Sequence, residues 1–154
     1  MNIKSIILLA TILVGISCNH KSTPNHQINK TVNKPKEHLI IETKSIEAQI
    51  TSLKSSMTDY MISAHPNYTE DDIEECVQIL NEYVTEMSGS KSKEDGMQIV
   101  KNTVLKLNEL NEKCEGDLIE TGEREAIATI IITVGHNKGY NSEDDDITEE
   151  WREW

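Results

Sequence analysis

Glu123-Arg124-Glu125-Ala126-Ile127-Ala128-Thr129-Ile130-Ile131-Ile132-Thr133-Val134 is the stretch on which the fold class turns. Its first four residues favour a helix, whereas the run from Ile127 to Val134 is rich in β-branched residues that also suit a buried strand. Periodicity cannot separate the two in so short an apolar run, so the rest of the chain has to decide. No second run of this kind occurs, and a lone strand has nothing to pair with. The stretch is therefore expected to be a helix. Being apolar nearly all round, it should lie at the centre of its bundle. Gly135 and Gly139 are expected to end it.

Working towards the N-terminus, three more segments carry helical spacing. Ile46, Ile50, Leu53, Met57, Tyr60 and Ala64 form a heptad stripe, and Pro66 stops the run because the residue before a proline is pushed out of the helical region. A second helix is expected after Thr69, with Asp72 placed for a capping box and acidic residues in the first turn. Its apolar face is Ile73, Val77, Leu80, Val84 and Met87, with Cys76 and Tyr83 alongside, and Ser88-Gly89-Ser90 ends it. A third opens at Ser92 and runs through Met97, Val100, Val104, Leu107 and Leu110 to Cys114, with Gly116 as its terminator. Connections of roughly 5–10 residues favour antiparallel neighbours. The expectation is an all-α fold, a small antiparallel bundle of about four helices.

Towards the C-terminus, DITEEWREW reads as one more short helix capped by Asp146. Ile147, Trp151 and Trp154 fall at spacings of four and three and share a face, which must dock because so short a helix does not hold alone in water. Docking onto the chain's own bundle is one reading, and an exposed tryptophan anchor for a partner is the other. With this segment, the stretch LNELNEKCEGDLIETGEREAI makes the C-terminal half similar to small uncharacterised bacterial helical domains. That resemblance implies a fold and no reaction.

Size and composition agree with one modest domain. The chain has 154 residues, 36% hydrophobic and 4% aromatic, with no Phe, so its core must be built from Ile, Leu, Val and Met. Seven Gly, three Pro and three Cys exclude collagen-like and disulfide-knot classes. The net charge is −12, and from Glu42 onward 10 basic residues face 26 acidic ones. Such a domain repels phosphate backbones, which argues against nucleic acid as a partner; its acidity reads first as a solubilising surface, with a basic protein as the charge-matched partner if there is one.

Residues 1–17 read as a signal peptide: Lys4 gives a positive start, and Ile6 to Ile16 an apolar run too short to span a bilayer as a helix. Val14-Gly15-Ile16-Ser17-Cys18 resembles the lipobox of bacterial lipoproteins, with the small Ser17 directly before the cysteine. Gly15 and Ile16 depart from the usual Leu and small residue. The resemblance implies that Cys18 is lipidated and becomes the new N-terminus, anchoring the chain to a membrane of the bacterial cell envelope. Residues 18–41, polar and carrying Lys21, Lys30, Lys34 and Lys36, are expected to be a flexible tether, and 42–154 the acidic helical domain.

No phosphate loop, zinc-protease or hydrolase signature and no C-x-x-C occurs. Glu143-Asp144-Asp145-Asp146 lacks the glycine and ligand spacing of a calcium loop and reads as a solvated cap. His65 and His136 sit at helix ends, where the dipole favours a cation. Cys76 and Cys114 are surrounded by glutamates rather than activating cations, and a hairpin turning near residue 90 leaves them ~13 Å apart along the helices at ~1.5 Å per residue, so free, buried thiols are expected. The chain reads as a non-enzyme with no cofactor, metal or small-molecule substrate. Two roles fit: a lipid-anchored envelope protein with an interaction domain, or an immunity-type inhibitor of a basic toxin.

Overall fold

The computed structural model describes the backbone of residues 34–154 and the side chains of residues 44–154. The signal peptide, most of the tether and Cys18 lie outside the described residues. Four helices follow one another, α1 (Lys34–Ala64), α2 (Glu70–Gly89), α3 (Lys93–Lys113) and α4 (Thr121–Asn137), and no strand occurs among the described residues. The β-branched run of Ile127 to Val134 is helical throughout. Helix α1 begins at Lys34, inside the segment 18–41 expected to be tether. Pro35 is compatible with this, since a proline is tolerated in the first helical turn, where its missing N–H is not needed.

Local chemistry sets the helix ends. The Asp72 carboxylate accepts the Thr69 N–H at 2.8 Å and the Thr69 hydroxyl at 2.7 Å, closing the first turn of α2. Ser92 accepts the Asp95 N–H at 3.1 Å to cap α3, and Asp95 in turn accepts the Lys91 N–H at 3.0 Å. After α3 the chain turns through the left-handed region at Glu115 and Gly116, with φ of 58° and 88°, and Gly116 N–H returns to the Asn111 carbonyl at 2.8 Å. His65 leaves α1 in the same region, at φ 55°.

The helices run alternately up and down. At one end, the α1–α2 loop meets the α3–α4 loop, where Asn67 N–H donates to Asp117 at 3.0 Å. At the other, Lys138 donates to the carbonyls of Ser88 and Ser90, both at 3.1 Å, at the C-terminal end of α2. Helix α2 packs against all three other helices, and α1 also packs against α4. The middle of the bundle is thus α2 rather than the more apolar α4. Tyr83 of α2 fixes this diagonal contact by donating to the Ile131 carbonyl of α4 at 2.8 Å inside the core.

The core is a single cluster running from Ile46 on α1 to Val134 on α4, with Met57, Ile73, Leu80, Met87, Val104 and Ile131 among its fully buried members. The α1 stripe holds as far as Met57. Beyond it Tyr60 is 40% exposed and Ala64 is exposed, and Tyr68 from the following loop fills their place, donating to the Met57 carbonyl at 3.0 Å. Gly135 does not end α4. It is a buried residue within the helix, which continues to Asn137.

Candidate functional site

Helices α2 and α4 pack across the diagonal, and α3 does not pack closely against α4. The chain after α4 occupies that corner. Tyr140 lies over Gly96 of α3 so closely that a Cβ there would sit 2.5 Å from two of its ring carbons, and its hydroxyl is 3.1 Å from the Ser90 hydroxyl. Asn141 donates to the Ile132 carbonyl of α4 at 3.1 Å. A Cβ on Gly135 would collide with the Asn141 side-chain oxygen and stand 3.0 Å from Ile147. One glycine on each wall therefore lets the segment lie against helix backbone.

Ile147, Trp151 and Trp154 are all partly buried and pack against the core, and Thr148 between them is fully buried. They do so on a turn rather than a helix. The Arg152 N–H reaches the Thr148 carbonyl at 3.1 Å, and the chain then opens. Asn108 of α3 holds the opened chain: its amide donates to the Trp151 carbonyl at 2.8 Å and accepts at 3.3 Å the Glu153 N–H, a donor that a continuing helix would direct to the Glu149 carbonyl. Asp146 starts the turn by accepting the Thr148 N–H at 3.0 Å and hydroxyl at 2.6 Å. Burial works against the charge on Asp146, but the Thr148 bonds and the Arg152 guanidinium at 3.0 Å outweigh it and hold the carboxyl below its ordinary range. Arg152 also stacks 5.3 Å from the centre of the Trp154 ring. The sequence pattern shows neither Asn108 nor Tyr140 as a docking residue.

The second surface is acidic. Helix α2 carries Glu70, Asp71, Asp72, Glu74, Glu75, Glu82 and Glu86, with no Lys or Arg of its own. A groove of about 700 Å³ follows its seam with α3, floored by Ile79 and Leu110 and rimmed by Asp71, Glu74, Glu75, Glu82 and Glu109. Lysines from neighbouring helices enter from the sides: Lys113 pairs with Asp72 at 2.9 Å and Glu75 at 3.1 Å, Lys106 with Glu82 at 3.0 Å, and Lys54 with Glu74. The Lys113 bond, aided by Thr69, holds the Asp72 carboxyl down at about 2. Glu70, Asp71 and Glu86 are exposed and have no ion pair among the described residues, so the face keeps excess negative charge.

Cys76 and Cys114 are free and buried. Burial pushes the Cys76 thiol up to about 12 and the Cys114 thiol up to about 11, which leaves little thiolate at neutral pH to act as a nucleophile or metal ligand. The Nδ1 of His136 lies 3.0 Å from the Asn141 carbonyl and its Nε2 3.5 Å from Glu143, so the ring braces the turn after α4. Among the described residues no group of three His, Cys, Asp or Glu is placed to hold a metal, and no helix is long and apolar enough to cross a membrane. Comparison of the chain with protein families, with curated proteins and with solved structures gives no match.

Proposed function

We propose that the chain is a lipoprotein of the bacterial cell envelope, anchored through Cys18, whose acidic helical domain binds a basic protein partner. The observation that carries the anchor is the N-terminal sequence, an apolar run of signal-peptide length followed by Ser17 and Cys18. The compact helical unit spanning Asn33–Trp154 is compatible with a domain that follows such a leader. The partner reading rests on charge: a helix with seven carboxylates and no cation of its own attracts a basic surface and speeds its encounter. The same acidic face favours an immunity-type inhibitor of a basic toxin as the second reading. An adjacent toxin gene separates that reading from a general interaction role.

Metabolic labelling with palmitate tests the anchor. The wild-type chain should label and partition into detergent, whereas Cys18→Ala should do neither while keeping its helical circular dichroism. Label that persists in Cys18→Ala overturns the proposal. Capture of basic envelope proteins by the wild-type domain should weaken with salt and with Asp71→Lys combined with Glu86→Lys. Capture that is indifferent to both removes the role given to the acidic face.

A further inference from the structure

We draw no further inference here: the strongest candidate, the carboxylate-rimmed groove between α2 and α3, belongs to the acidic surface already described, and nothing in the structure shows what covers it.

Discussion

Replacing Gly96 with alanine tests how the C-terminal segment is held. On an open helix surface the change would stabilise by about 1 kcal/mol, because glycine is the costlier residue inside a helix. At Gly96 the new Cβ would stand 2.5 Å from the Cδ2 and Cε2 atoms of Tyr140 and 3.3 Å from the Met87 sulfur. Carbon atoms in contact rest ~3.5–4.0 Å apart, so the ring must withdraw by roughly 1 Å. Withdrawal strains the Tyr140–Ser90 hydroxyl contact at 3.1 Å and loosens the ring from the Lys138 ammonium, 5.9 Å from its centre. Overpacking of this kind costs about 1–3 kcal/mol, and the helix gain offsets part of it. Gly96→Ala should therefore destabilise by up to roughly 2 kcal/mol, a fall in Tm of up to about 10 °C for a domain of this size. In a Tyr140→Ala background the ring is gone and only the flexible Met87 side chain has to shift, so the same substitution should become stabilising by up to ~1 kcal/mol. Urea unfolding followed by far-ultraviolet circular dichroism on the four chains measures both numbers. A stabilising Gly96→Ala in the wild-type background, or the same effect in both backgrounds, would refute the packing argument.

Other expectations concern the tail and the α2–α3 ion pairs. Asn108→Ala strips the Trp151 carbonyl and the Glu153 N–H of their partner and should cost about 1–2 kcal/mol in urea unfolding. Deleting residues 147–154 should lower the unfolding midpoint further, and before deletion the tryptophan emission should be blue-shifted and poorly quenched by acrylamide; red-shifted, freely quenched emission with unchanged stability would assign the tail to a partner. Asp72, held at about 2 in the fold against ~3.9 in an unfolded chain, contributes stability that is complete above pH ~5 and is lost as the pH falls towards 2. Asp72→Asn should accordingly cost roughly 1–2 kcal/mol at neutral pH, allowing for the solvent around Lys113, with the gap to wild type closing near pH 2. A gap that stays constant down to pH 2 would mean that the carboxylate charge is not what stabilises the turn.

The sequence made the helices easier to read than their arrangement. Thr69 with Asp72, Ser92 with Asp95, and Gly116 act through contacts within a few residues, so cap chemistry alone locates those ends. Ile127 to Val134 could be resolved because a solitary strand has no way to satisfy its backbone. Which helix occupies the middle was not readable. An apolar surface on α4 can be covered by α1, by α2 or by the returning tail, and the Tyr83 bond that joins α2 to α4 spans 48 residues. Ile147, Trp151 and Trp154 were identifiable as apolar positions, whereas their turn conformation depends on Asn108, more than forty residues away. Gly135 looked like a terminator because a helix end is the commonest use of such a glycine. Close approach by Asn141 and Ile147 is its role in the fold, and no local pattern distinguishes the two. The acidity of α2 was plain from composition, but the lysines that partly neutralise it come from α1 and α3.

Mass spectrometry of the N-terminal peptide, from the chain purified out of bacterial membranes, is the most direct measure of the proposed anchor. The peptide should begin at Cys18 and carry a diacylglyceryl group on its Sγ. A peptide that begins at Met1, or a Cys18 without lipid, would contradict it.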